Sequence, residues 1–171
     1  MTSDEDLMLA CGRGERGAFD TLFERYRQPI WGYFRRRLED RARAEELAQD
    51  TFVAVLNNAA RYEVRASFRT YLYSIAANLL SAERRRPGLR DTALPARELP
   101  AGPASAADAG HIIRDAVSRL DPHAREILML REFEQLTYSE IAQLLDLPIN
   151  TVRSRLFRAR GELRQLLESQ P

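Results

Sequence analysis

Wherever apolar residues recur along this chain they recur at helical spacing, and no convincing run alternates with the period of two that a half-buried strand requires. That pattern confines the chain to an all-α fold. Phe19, Leu22, Phe23, Tyr26, Ile30, Phe34 and Leu38 form one long stripe, interrupted by Pro29. Leu47, Ala48, Phe52, Val55 and Leu56 form a second, and Phe68, Leu72, Ile75 and Leu79 a third. Together they predict a helical bundle over residues 1–86. The pattern then stops. "PGLRDTALPARELPAGPASAADAG", residues 87–110, holds four of the eight prolines, three of the eight glycines and no aromatic residue. Such a stretch builds no core and reads as a flexible linker. Periodicity resumes at Ile112, with Asp121 as an N-cap and Pro122 at the first position of a helix. Residues 111–171 make a second, smaller helical domain.

Several function classes fall away at once. The longest apolar runs are too short to cross a bilayer, so no membrane insertion of its own is expected. "MTSDEDLMLA" is acidic and lacks the basic start of a signal peptide. Cys11 is the single cysteine, so no internal disulfide forms, the cytoplasm is the expected compartment, and a lone Cys on a helical apolar face reads as core filler. His111 and His123 have no Cys/His/Asp cluster at metal spacing, there is no phosphate-binding glycine loop, and no Ser/His/acid set suggests itself. No catalytic residue, metal or cofactor is expected, and the chain does not read as an enzyme.

Charge points elsewhere. All 26 basic residues are arginine, which makes every basic site planar and bidentate. The net charge of +1 hides a segregation. Residues 61–86 carry six arginines against two acids, residues 151–164 five against one, and the rest of the chain is correspondingly acidic. Two basic patches on a neutral background suggest two nucleic-acid contacts, although a pair of solvated helix faces would look the same on charge alone.

The second patch lies in "LTYSEIAQLLDLPINTVRSRLFRAR", residues 136–160. Thr137 and Glu140 form a T-x-x-E capping box that starts a helix at Tyr138, with Ile141, Ala142, Leu144 and Leu145 on its buried side. Asp146-Leu147-Pro148 ends it, and Asn150 is the expected N-cap of the next helix. There Val152, Leu156, Ala159 and Leu163 share one face, which leaves Arg153, Ser154, Phe157 and Arg158 on the other. An outward Phe between arginines suits a thymine methyl or a sugar, and two helices on a short turn match the DNA-reading helix-turn-helix. A structural helical hairpin is the alternative.

The first patch is "RYEVRASFRTYLYSIAANLLSAERRR", residues 61–86. Tyr71, Ser74, Asn78 and Arg85 share an edge of the helix that Arg61, Tyr62, Arg65 and Arg69 precede or open. Rings that stack on unpaired bases, guanidinium groups for phosphates and an amide for a base edge suit single-stranded DNA; core tyrosines beside a charged helix end are the competing reading. In "AEELAQDTFVAVLNN", Glu46, Gln49, Asp50, Val53 and Asn57 point away from the buried Ala48, Phe52 and Val55. That acidic face suits an arginine-rich protein partner, or is simply solvated.

In this order, the pieces resemble a bacterial sigma factor of the extracytoplasmic-function (ECF) class of the sigma-70 family. "AEELAQDTFVAVL" resembles the family's region 2.2 helix, which docks on the coiled coil of the RNA polymerase clamp. "FRTYLYSIAANLLSAERRR" is similar to regions 2.3 and 2.4, which melt and read the −10 element. "LTYSEIAQLLDLPINTVRSRLFRAR" is very similar to region 4.2, which reads the −35 element. The resemblance implies Glu46, Gln49, Asp50 and Val53 for core polymerase contact, and Arg153, Ser154, Phe157 and Arg158 for the −35 major groove. It implies Asn78 for a flipped −10 base, beside Arg61, Tyr62, Arg65, Tyr71 and Arg85. Core RNA polymerase, promoter DNA and an anti-sigma factor are the implied partners. Tyr71 stands where the family usually has Trp, and Ala82 where an Asp four residues after the Asn is common. Weaker promoter opening and an altered −10 preference are the expected consequences. A stand-alone helix-turn-helix regulator, binding duplex DNA without polymerase, is the main rival; a helical adaptor with no DNA role is the second.

Overall fold

A computed structural model of the chain describes residues 2–88 and 104–169. Its regular structure is helical throughout the described residues, and contacts divide the chain into two units, Met1–Thr92 and Ala93–Pro171.

The first unit packs α1 (Asp4–Gly12), α2 (Arg16–Arg35), α3 (Arg41–Asn58) and α4 (Phe68–Arg84), with a 3-10 turn, Ala59–Arg61, after α3. Its centre is aromatic: Tyr33, Phe34, Phe68 and Tyr73 are fully buried with Met8, Leu22, Ile30 and Leu72. Each such side chain contributes ~1.5–3 kcal/mol on removal from water. The sequence reading put Cys11 on a helical face but traced no stripe before Phe19, so the bounds of α1 come from the structure. Ser3 caps it, accepting the Asp6 N–H at 3.1 Å, and Asp4, Glu5 and Asp6 fill a first turn where negative charge is favoured. Pro29 does not interrupt α2, which continues for 20 residues. Pro29 lies on the exposed face, where water can satisfy the Arg25 carbonyl that loses its N–H partner.

The stripes are otherwise placed with small rotations. Phe23 and Leu56 sit at the surface rather than in the core. On α4 the buried line runs through Phe68, Leu72, Tyr73, Ala76, Leu80 and Glu83, while Ile75 and Leu79 are only half-buried. The line turns because an acid, Glu83, is buried by two arginines. Arg43 of α3 reaches it at 2.7 Å and Arg86 at 3.2 Å.

The second unit holds α5 (Ala104–Ser118), α6 (Pro122–Glu132), α7 (Tyr138–Leu145) and α8 (Ile149–Glu168). The backbone is helical from Ala104, inside the stretch read as linker to residue 110, because alanine-rich sequence favours helix even where it cannot build a core. The linker residues 89–103 lie outside the described residues. Asp121 and Pro122 start α6 as expected, the Asp121 carboxylate accepting from the His123 and Ala124 N–H groups. Ile127, Met129, Leu130, Leu136, Ile141, Val152, Leu156 and Ala159 form the core of this unit.

Candidate nucleic-acid and polymerase interfaces

The turn between α7 and α8 is set by short-range chemistry. Thr137 Oγ1 accepts the Glu140 N–H at 3.1 Å, and Glu140 Oε2 accepts the Thr137 N–H at 2.8 Å, which completes the capping box. At the other end Asp146 adopts φ 51° and ψ 52°, and the Leu147 N–H bonds to the Ala142 carbonyl at 2.9 Å. That is the 6→1 closure of a Schellman motif, built here on Asp instead of Gly. Helix α8 then begins two residues earlier than expected. Pro148, extended at φ −59° and ψ 141°, is the N-cap in place of Asn150, and its carbonyl accepts from Thr151 and Val152 at 2.9 and 3.1 Å. Proline's fixed φ suits this position, and no side chain caps the helix.

On α8, Val152, Leu156 and Ala159 are buried, while Leu163 is only half-buried. Arg153, Ser154, Phe157 and Arg158 are all exposed, Phe157 by 80%. The Ser154 hydroxyl donates to the Thr151 carbonyl at 3.1 Å, which leaves its lone pairs outward. Arg160 is committed elsewhere. It pairs with Glu132 of α6 at 2.5 Å, which raises its pKa and ties α8 to α6. The outward face therefore presents two arginines and an aromatic ring.

In the first unit the aromatic–arginine edge is more buried than the sequence suggested. Tyr62 is only 9% exposed; its ring meets Tyr71 edge-on at 5.0 Å and Phe68 at 6.5 Å. Its hydroxyl has no hydrogen-bond partner among the described residues, and burial, reinforced by Glu5, pushes its pKa up to about 12. Tyr62 thus backs Tyr71 and offers no open face to a base. Tyr71 is half-buried, and burial raises its pKa. Ser74 donates to the Tyr71 carbonyl at 2.7 Å, and Asn78 and Arg85 are exposed on the same edge. Arg61 and Arg65 are both exposed, Arg65 in a surface pair with Glu63 at 2.6 Å.

Helix α3 turns Glu46, Gln49, Asp50, Val53 and Asn57 outward. Val53, 53% exposed, has Leu56 beside it. An open groove of about 390 Å³ runs between α2 and α3, lined by Phe23, Trp31 and Phe52 with Arg27, Arg41 and Gln49 on its rim. The sequence reading placed Phe23 in the core stripe, since an aromatic at helical spacing reads as core, and assigned no role to Trp31, which is half-buried in this groove. It also missed Arg43. This side chain bonds Glu46 at 2.6 Å on the outer face and Glu83 at 2.7 Å inside, which raises its own pKa and holds the Glu83 carboxyl below the usual range. The signal was a buried acid in a run of arginines, legible only once α3 and α4 are known to touch.

No helix among the described residues is long and apolar enough to cross a membrane. Residues 22–88 match the family model for sigma-70 region 2, and residues 110–163 the model for sigma-70 region 4. The RNA polymerase sigma-H factor of Pseudomonas aeruginosa is 32% identical, over 96% of this chain and 94% of its own. Among solved structures, CnrH in complex with the cytosolic domain of CnrY is similar with a TM-score of 0.75 at 23% identity, covering 98% of this chain and 99% of that one. The sigma factor RpoE of Bartonella quintana, solved with the anti-sigma factor NepR, has a TM-score of 0.70 at 20% identity, covering 90% of this chain and 98% of its own. A helix-turn-helix with a basic, aromatic outer face, preceded by a separate four-helix unit and matched in that order over nearly the whole chain, is the arrangement of one family: the chain belongs to the sigma-70 family of RNA polymerase sigma factors, in its ECF class, and is a transcription initiation factor rather than an enzyme.

Proposed function

We propose a residue-level division of that activity. The α3 face of Glu46, Gln49, Asp50 and Val53 docks on core polymerase. The α4 edge of Tyr71, Asn78 and Arg85, with Arg61 and Arg65 in front of it and Tyr62 behind, handles the opened −10 strand. Arg153, Ser154, Phe157 and Arg158 of α8 read the −35 duplex. The observation that carries this reading is Phe157, 80% exposed between exposed arginines on a helix whose opposite face is fully packed. A solvated structural face has no use for such a ring, whereas a major groove offers it thymine methyl groups. The stand-alone regulator is disfavoured because it has no use for the aromatic edge of α4.

Asp50→Arg tests the polymerase face. Asp50 is exposed, so its reversal leaves the fold intact and lowers co-purification with core polymerase. Unchanged affinity for core removes the α3 face from the assignment.

We also infer that the protein works in the cytoplasm beside the polymerase, and that an anti-sigma factor restrains it. The similar RpoE was solved with such a partner, and this chain exposes Val53 and Leu56 in one unit and Phe157 in the other, apolar surface of the kind a restraining protein covers. Tight, specific promoter binding by the free chain, without polymerase, would contradict the need for restraint.

A further inference from the structure

Helix α1 lies upstream of the residues that match the region 2 model, and none of the roles above uses it. It is nevertheless fastened on both sides of the connection between α3 and α4, residues 59–67, which carries Arg61, Tyr62 and Arg65: at Ala59, and at Phe68 where α4 begins. At one end Glu5 Oε1 accepts the Phe68 N–H at 2.7 Å. That N–H belongs to the first turn of α4, where no helical carbonyl can reach it, and a carboxylate is the favoured partner there. Ser67 takes the Thr70 N–H of the same turn at 3.2 Å. At the other end Gly12 lies against the 3-10 turn, where an added Cβ would meet the Ala59 carbonyl oxygen at 2.5 Å. Between these points Met8 is fully buried.

We propose that α1 is a brace for the 59–67 connection, with Glu5 and Gly12 as positioning residues for the aromatic–arginine edge that handles opened −10 DNA. This rests on the −10 assignment above. Outside the 3-10 turn the connection has no regular structure to hold it. Left free, its residues would have to be ordered when DNA binds, at an entropic cost drawn from affinity and selectivity alike. The brace settles that cost during folding. Gly12 is helical with no positive φ, so what it supplies is space rather than backbone freedom. Glu5 supplies the acceptor that fixes where α4 starts, and hence the height of Tyr71 above Tyr62.

The test uses the full chain assembled with core polymerase and a randomised single-stranded DNA pool. The sequence enriched on the wild-type holoenzyme is compared with its single-base variants. Glu5→Ala should reduce discrimination among them about fivefold, the size of a lost helix cap, and speed amide exchange at Phe68 in the free protein by a similar factor. Affinity for core polymerase should not move. Glu5→Gln, which keeps an acceptor oxygen, should restore most of the discrimination, and Gly12→Ala should act in the direction of Glu5→Ala. The brace is overturned if Phe68 exchange is unaffected, if discrimination survives both Glu5→Ala and Gly12→Ala, or if core affinity falls in parallel with it. Tyr71→Ala and Asn78→Ala serve as companions. If they too leave discrimination unchanged, the −10 assignment fails, and the Phe68 exchange rate still reports whether Glu5 caps α4. Should Gly12→Ala not fold, the comparison of Glu5→Ala with Glu5→Gln decides alone.

Discussion

Phe157 and Tyr62 are both aromatic residues beside arginines, yet they lie at opposite extremes of burial. At 80% exposure Phe157 contributes little to the core, so Phe157→Ala should leave the melting temperature of the protein within a degree or two of wild type. It should also cost ~1–3 kcal/mol of −35 recognition, a loss of about five- to 150-fold in holoenzyme affinity for the duplex element. Fluorescence anisotropy beside a thermal melt separates the two effects; a fall in melting temperature with duplex affinity unchanged would return Phe157 to a packing role. Tyr62 predicts the reverse emphasis, because its ring is part of the Phe68–Tyr71 cluster. The outward turn of Phe157 was legible in the sequence, whereas for Tyr62 the sequence left both a stacking ring and a core tyrosine open, for one physical reason. Phe157 lies within a helix whose two faces are fixed by 3.6-residue periodicity. Tyr62 lies in a connection, where no period tells which way a ring turns and contact with Phe68 and Tyr71 of α4 sets it.

Helix α4 and helix α3 are locked by the Arg43–Glu83 pair, and that contact sets how the first unit responds to acid. Arg43, then Arg86, hold the Glu83 carboxyl below its ordinary value of 4.5, so the ionised acid stabilises the folded unit. That contribution is complete above the ordinary carboxylate range and is lost as pH falls through the lowered folded value. Stability of the first unit should therefore drop on the acid side, and Glu83→Gln should flatten the drop while lowering stability at neutral pH. Arg43→Ala leaves Glu83 buried with Arg86 alone and should cost about 2–3 kcal/mol, less than a fully stranded buried charge. Urea unfolding followed by Trp31 fluorescence measures both, since Trp31 is the single tryptophan and lies in this unit. An acid slope unchanged by Glu83→Gln would show that other carboxylates set it. Such elements divide by the range of the forces that place them. The Thr137–Glu140 box and the Asp121-Pro122 start were legible because a cap is made by residues within one turn of each other. The rotation of the α4 stripe toward Tyr73 and Glu83 was not, because Arg43, 40 residues away, makes burying that acid favourable. The start of α8 was misplaced because a side-chain cap at Asn150 was read as decisive, whereas the backbone turns helical just after the extended Pro148, two residues beyond the αL turn at Asp146.

At the scale of the whole molecule, two units that each carry a DNA face imply two separable defects. Arg158 is exposed on α8, and Asn78 is exposed on the edge of α4. Neither supports a core, so each substitution by alanine removes contacts without unfolding its unit. Arg158→Ala should weaken the upstream duplex contact by ~1–3 kcal/mol, a defect that a prebuilt downstream bubble does not repair, because the bubble contributes nothing at the −35 element. Its use of that bubble, once held at the promoter, should stay nearly normal. Asn78→Ala should retain upstream binding and lose discrimination at one downstream base, so its loss should appear when that base is changed and not when the −35 element is changed. The measurement is run-off transcription with core polymerase and each variant, on a duplex promoter and on the same promoter carrying the bubble, with each element mutated in turn. If the two variants respond identically across all of these templates, the division of labour between α4 and α8 is wrong. The aromatic edge would then belong to the packing of the first unit, and promoter reading to the helix-turn-helix alone.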